Sequence, residues 1–281
     1  MMDQDTLVKL HSVMLEILNE FVRICEENNL TYFLAYGTLL GAVRHEGFIP
    51  WDDDIDVAMP RNDYEKFINL CENNNDSNYY ILSNKCPINT YYHYITFAKF
   101  CKRNTIYAET TRNEGDFCGI FIDIWPYDNT YPLLAPLQTA LIHSGHKLYR
   151  MKTYTSSVYK SRKHLKLQSF LKKLIPTWFC ISFYKFTIKL CCIYNKHNTE
   201  YISFFSDWWS YKKVLMKRKD IFPLCKLKFG EKDYYAPNNY DLYLKIKYYD
   251  YMTLPPVEER KTHGKYIIFD TNETDNNINN N

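Results

Sequence analysis

Four aspartates crowd the run Trp51-Asp52-Asp53-Asp54-Ile55-Asp56, directly ahead of the apolar Val57-Ala58-Met59. A carboxylate cannot enter a core uncompensated, yet Ile55 and Val57 need one. In an extended chain side chains alternate, so Asp54 and Asp56 share one face while Ile55 and Val57 anchor the other. Like charges held that close raise each other's pKa unless a cation sits between them. Their hard oxygen donors suit Mg²⁺ or Mn²⁺, whose remaining positions take water and phosphate oxygens. An acidic run alone is more often a solvated surface or a helix start. The flanking Trp51 and Ile55-Asp56-Val57 are company that a purely solvated patch does not need. A calcium loop of the EF-hand type is a poor match, because Met59 stands where that pattern requires glycine.

The run has a context. Leu7, Leu10, Met14, Ile17, Leu18, Phe21 and Ile24 recur at helical spacing, which predicts an amphipathic helix ending near Asn28-Asn29. Thr31–Tyr36 reads as a short buried strand, Leu39–Arg44 as a short helix, Ile55–Met59 as a strand and Asn62–Cys71 as a helix. The turn at Gly37-Thr38 presents backbone N–H groups at a helix start, where a phosphate can bind; Thr38 either caps the helix or bonds a phosphate oxygen. Arg44 follows as a phosphate-neutralising residue. Further strand-like pieces are Tyr80–Leu82, Tyr94–Lys99 and Gly119–Ile124, the last ended by Pro126. Asp123 lies inside this apolar strand. It either completes the metal site or takes a proton from an attacking hydroxyl, the bland alternative being a strand-end cap. Lys99 and Arg103 are phosphate-binding candidates upstream of it.

With 46% hydrophobic residues, the 281-residue chain can build a substantial core, and a net charge of +3 makes it no general nucleic-acid binder. Nine cysteines, an odd number with no Cys-x-x-Cys pair, fit neither a disulfide framework nor a structural zinc site, so reduced thiols and a cytoplasmic location are expected. No signal-peptide pattern opens the sequence, and no apolar stretch is long enough to span a bilayer. From Asn129 to Thr199 there is no Asp or Glu, while Lys160, Arg162, Lys163, Lys166, Lys172 and Lys173 precede an aromatic stretch. This basic, mainly helical segment is either a subdomain with a solvated edge or a surface for anionic lipid on the inner face of the membrane. The expected organisation is a catalytic core over residues 1–128, the basic helical subdomain over 129–200, a completing C-terminal part over 201–270 and an Asn-rich disordered tail over 271–281.

The continuous stretch Tyr36–Arg61 closely resembles the signature of the LicD family, which includes bacterial phosphocholine transferases and is related to fukutin and fukutin-related protein. Gly119–Pro126 resembles the family's second block; Tyr235–Leu244 and Tyr248–Arg260 resemble its third. The resemblance implies an α+β class, a nucleotidyltransferase-like small mixed sheet flanked by helices. It also implies Mg²⁺ held by Asp54 and Asp56 with Asp123 as third acid. The implied reaction moves a phospho-alcohol from a CDP-linked donor such as CDP-choline to a hydroxyl of a surface glycan acceptor (lipopolysaccharide or teichoic acid, while lipid-linked), and CMP leaves. Where the family often has paired histidines, His263 is followed by Gly264, and Tyr248-Tyr-Asp-Tyr-Met252 replaces Tyr-Gly-Asp-Tyr-Met; His263 is carried as a substrate-binding candidate. Two other readings stay open: a nucleotidyltransferase that makes the activated donor, and a catalytically inactive glycan- or nucleotide-binding protein.

Overall fold

The computed structural model describes residues 2–73, 78–85, 96–109, 117–153, 174–206, 211–262 and 264–271. His263, the basic cluster Lys160–Lys173 and the Asn-rich tail beyond residue 271 lie outside them. In chain order, α1 (Gln4–Glu27) leads to β1 (Phe33–Leu34), α2 (Tyr36–His45), β2 (Asp56–Pro60), α3 (Arg61–Asn73), β3 (Tyr79–Leu82), β4 (Ala98–Lys102), β5 (Ile106–Glu109) and β6 (Phe121–Thr130). Then come α4 (Ala135–Thr153), α5 (Thr177–Cys191), β7 (Tyr201–Ser203), β8 (Leu215–Lys217), β9 (Cys225–Phe229), β10 (Lys232–Ala236), α6 (Tyr240–Tyr248) and β11 (Gly264–Ile268), with single helical turns between some of them. The class is mixed α+β, as the sequence leads one to expect.

The chain divides into two compact units, one of residues 1–83, 97–126 and 219–281 and one of 84–96 and 127–218. In the first, strands run in the order β1-β2-β6-β4-β3, with β1–β2, β4–β6 and β3–β4 antiparallel. The amphipathic period of α1 places Leu10, Met14, Ile17, Leu18 and Phe21 out of solvent entirely, each contributing about 2 kcal/mol of apolar burial. Asp3 caps this helix, its carboxylate accepting from the Thr6 N–H at 2.9 Å. Two short antiparallel ribbons complete the unit: β9–β10, and β11 paired back onto the earlier β5.

Two expectations need correcting. The strand expected at Thr31–Tyr36 is only Phe33–Leu34, because Tyr36, Gly37 and Thr38 already belong to α2. Pro126 does not end β6. Ile124 is the last residue of β6 paired to β4 and Asp128 the first paired to β7. Pro126 falls between these two ladders, where its missing N–H leaves no ladder bond unmade. In the second unit, α4 and α5 pack together, and the last residues of β6 pair with β7, which in turn pairs with β8.

Candidate active site at the acidic run

The connection from α2 to β2 folds back on the helix that precedes it. At Gly41 a Cβ atom would lie 2.4 Å from the Gly47 carbonyl oxygen, so the backbones touch there and only glycine permits it. Glu46 turns the chain with a left-handed backbone at φ 52°. The return carries Asp52 to the first turn of α2, where a Cβ on Gly37 would stand 2.8 Å from Asp52 Oδ2 and 3.9 Å from Asp56 Oδ2. Gly37 thus leaves room for carboxylates rather than for a side chain of its own.

Alternation governs the whole run, not only its second half. Asp52, Asp54 and Asp56 gather on one side, Asp52 hydrogen-bonded to Asp54 and close to Asp56. Asp53 turns the other way and is fully buried. Its carboxylate accepts from the Tyr107 hydroxyl at 2.8 Å and from the Gly264 N–H at 2.7 Å, binding the run to the β5–β11 ribbon. Asp53 is therefore a structural anchor, whereas Asp52 is a member of the cluster. Burial, and then the charge of Asp54, push the carboxyls of Asp52 and Asp56 well above the ordinary carboxylate range.

Asp56 opens β2 and is held from three sides. Its N–H donates to Thr38 Oγ1 at 2.7 Å, its carbonyl accepts from Ala35 N at 3.1 Å, and Trp125 Nε1 donates to its Oδ1 at 2.8 Å. Thr38 is buried at the third position of α2, and its hydroxyl oxygen ties the helix to β2 by accepting from the Asp56 N–H. Trp125 in turn stacks on Phe97 at 4.2 Å and packs against Tyr36 at 5.2 Å. On the Asp52 side, His11 Nε2 of α1 lies 2.7 Å from the Asp52 carbonyl. A carbonyl only accepts, so this nitrogen carries the proton, and burial lowers the imidazole pKa so that the ring stays neutral.

Asp123 is brought beside the cluster by its own N–H, which donates to the Ile55 carbonyl at 2.8 Å, and its charge raises the pKa of Asp56. Its Oδ1, however, accepts from Lys99 Nζ at 2.7 Å. Lys99 faces Asp123 across the β4–β6 ladder and is 2% exposed, its ammonium 3.3 Å from the centroid of Phe121. The structure thus unites Asp54, Asp56, Asp123, Gly37 and Lys99, with Thr38 beneath them. Arg103 is not among them. It stands exposed at the turn after β4, its guanidinium 5.2 Å from the Tyr80 ring centroid, and four residues beyond Lys99, roughly 13 Å along a strand.

Arg44, half-buried at the end of α2, donates from Nη1 to the Tyr251 carbonyl at 2.8 Å and from Nε to His45 Nε2 at 3.0 Å. Burial lowers its pKa first and the charge of Arg260 second, with Asp52 acting in the opposite direction. Arg44 therefore lies near the acid cluster and near a second cation.

Among the described residues no group of three His, Cys, Asp or Glu side chains that could hold a metal ion occurs. Of the three carboxylates expected from the sequence, Asp123 has one oxygen, Oδ1, held by Lys99. The donor chemistry still fits a hard divalent cation. Magnesium is usually bound through one or two carboxylates together with substrate phosphates, and buried carboxyls driven upward by one another are the groups a cation relieves.

The residues that sequence reasoning missed are His11, Tyr107, Trp125 and Arg260, while Trp51, read only as apolar company for the acids, has the Arg260 guanidinium over its ring. Trp125 and Arg260 fall inside the blocks Gly119–Pro126 and Tyr248–Arg260, which was their available signal. His11 falls on an amphipathic helix of ordinary composition and carries none.

The chain matches the LicD/FKTN/FKRP nucleotidyltransferase domain over residues 29–135, a span containing every acid of this cluster. It is 30% identical over 267 residues to the lipopolysaccharide cholinephosphotransferase LicD of Haemophilus influenzae, covering 92% of this chain and 96% of that protein. It is also 29% identical over 116 residues to an uncharacterised protein of Rickettsia typhi, covering 41% of this chain and 34% of that one. A likeness that runs nearly end to end, together with a domain match over the acidic run, Gly37 and Asp123, means that this chain belongs to the LicD family.

Proposed function

We propose that this protein transfers a phospho-alcohol, phosphocholine or a close analogue, from a CDP-linked donor to a hydroxyl of a glycan such as lipopolysaccharide, releasing CMP. The observation that carries this reading is the gathering of Asp52, Asp54 and Asp56 at the first turn of α2, in a chain alike over its length to a cholinephosphotransferase. Asp54 and Asp56 would hold Mg²⁺ or Mn²⁺, which when bound supplies Lewis-acid stabilisation of the diphosphate. Trp125 and Thr38 fix Asp56, and His11 fixes the Asp52 backbone, so the acids keep their geometry as charge shifts. Asp123, beside Asp56 and hydrogen-bonded to Lys99, would accept the proton of the acceptor hydroxyl. No cysteine is given a covalent role; among the described residues most cysteines are buried.

The test is to incubate the protein with Mg²⁺ and CDP-choline, CDP-ribitol or CDP-glycerol, with and without candidate acceptors, and to follow the nucleotide. CMP release that depends on the acceptor is expected. Pyrophosphate production from CTP and an alcohol phosphate would instead identify a donor-making nucleotidyltransferase. Binding without turnover of any donor would identify an inactive binding protein.

We further propose that the second unit contacts the anionic lipid surface at which such an acceptor is held, on the cytoplasmic side. No helix among the described residues is long and apolar enough to cross a membrane. Yet α5 buries Cys180, Tyr184, Thr187 and Cys191 and leaves Trp178 67% and Phe186 53% exposed, beside Lys185 and Lys189. Aromatic side chains interleaved with cations are what an anionic interface accommodates. Co-sedimentation with vesicles containing phosphatidylglycerol, and not with phosphatidylcholine alone, is expected, with Trp178→Ala/Phe186→Ala weakening it several-fold. Equal binding to both vesicle types, or to neither, removes the membrane contact.

A further inference from the structure

Arg260 is held in a manner unusual for a half-buried cation. Its Nε donates to the Pro255 carbonyl at 3.0 Å, and its guanidinium lies 4.7 Å from the centroid of Trp51. Trp51 immediately precedes Asp52, and its ring lies 6.5 Å from that of His45, the hydrogen-bond partner of Arg44. Arg44 and Arg260 are therefore gathered about one tryptophan at the edge of the acid cluster. Among the described residues neither forms an ion pair with a carboxylate. Carbonyl oxygens, an imidazole and an indole face hold them instead.

This is a costly arrangement unless it receives an anion. Two guanidinium groups repel, and the burial that lowers the Arg44 pKa is not offset by a partner of opposite charge in contact. The holding groups also orient. Each Nε is committed, to His45 in one arginine and Pro255 in the other. Nη2 of Arg44 and both Nη atoms of Arg260 are left with no acceptor among the described residues, and planar forks of this kind suit phosphate oxygens. The holders are themselves secured: the Tyr251 hydroxyl donates to Asp241 Oδ1 at 2.9 Å, fixing the segment whose carbonyl receives Arg44.

We propose that Arg44 and Arg260, on the Trp51 platform, form an anion-binding arm that takes the phosphate remaining with the leaving nucleotide. This rests on the transferase reading above and adds a division of labour to it. The carboxylate cluster serves the phosphoryl group being transferred, and the two arginines serve the one that departs with growing negative charge. Arg260 is thereby a substrate-binding residue, and Trp51 positions it by stacking.

The probes are CMP and inorganic pyrophosphate, titrated calorimetrically into wild type, Arg260→Ala and Arg260→Lys, beside CDP-choline turnover. Wild type is expected to bind CMP, with Arg260→Ala weakening it about tenfold or more and raising the CDP-choline KM. Arg260→Lys should recover only part of this, since lysine keeps the charge but not the fork or the stack. It also serves if the alanine variant folds poorly. Equal CMP and pyrophosphate affinity in all three proteins would overturn the arm, as would a wild type that binds neither. If wild type binds both anions through Arg260 yet turns over no CDP-alcohol, the arm stands and the proposed reaction fails.

Discussion

Asp54→Asn or Asp56→Asn is expected to reduce transfer by at least about 10³-fold while the variant folds as well as the native chain. The rate loss follows from removing a ligand of a cation whose charge stabilisation is worth several kcal/mol, each 1.36 kcal/mol being about tenfold. The retained stability follows from the cluster itself. Asp52 and Asp56 have carboxyls pushed well above their ordinary range, by burial first and by Asp54 second. A carboxyl raised on folding binds its proton more tightly in the folded state. The destabilisation is therefore fully present above the raised folded pKa, and fades as pH falls toward the ordinary carboxylate range. Asparagine at position 54 removes one of the repelling charges, and asparagine at 56 still offers Trp125 Nε1 a carbonyl acceptor in place of Oδ1. In EDTA near pH 8, melting of either variant should match or exceed that of wild type. Added Mn²⁺ should raise wild-type melting and leave the variants nearly unmoved. Undiminished activity in EDTA, or an Asn variant as active as wild type, would exclude the metal mechanism.

Much of this site was legible before any coordinates. The alternation of an extended chain predicted that Asp54 and Asp56 share a face, and the cluster obeys it. The same rule extends to Asp52 and turns Asp53 away, yet what Asp53 meets there is long-range: Tyr107 and Gly264 lie 54 and 211 residues further on. No local pattern states such a pairing. Thr38 is a similar case. Its type and position suit a helix cap, and only the return of β2 beside α2 converts it into an acceptor for the Asp56 N–H. Pro126 misled for a physical reason, since a proline stops a strand only where the sheet needs its N–H, and here the ladder changes partner. Of the fold, α1 and α3 were legible because their apolar period is strong. The ribbons β9–β10 and β5–β11 were not: Cys225-Lys-Leu-Lys-Phe229 of β9 alternates apolar with lysine, but Lys232-Asp-Tyr-Tyr-Ala236 of β10 and Gly264-Lys-Tyr-Ile-Ile268 of β11 do not, and strands this short leave little pattern to read.

Lys99→Met is expected to destabilise the protein by about 3–5 kcal/mol, because breaking a buried ion pair strands the other charge. The pair is buried on both sides, Lys99 2% and Asp123 7% exposed, with 2.7 Å between Nζ and Oδ1. The stranded anion would stand beside Asp56, whose carboxyl Asp123 already pushes up. At about 2–4 °C per kcal/mol for a chain of this size, melting should fall by roughly 6–20 °C. Lys99→Met/Asp123→Asn should recover most of the loss, because it removes both charges together. The same variants separate two roles for Asp123. If Asp123 turns from Lys99 to a bound cation, Mn²⁺ should restore the melting of Lys99→Met far more than that of the double variant. If Asp123 serves as a base held by Lys99, Mn²⁺ should act on both variants equally. Lys99→Met would then shift the acid limb of the pH–rate profile upward, because Lys99 no longer favours the carboxylate. A melting temperature unchanged by Lys99→Met would mean that the pair contributes nothing to the fold, and with it would go the assignment of Lys99 as the counter-charge of Asp123 beside the cluster.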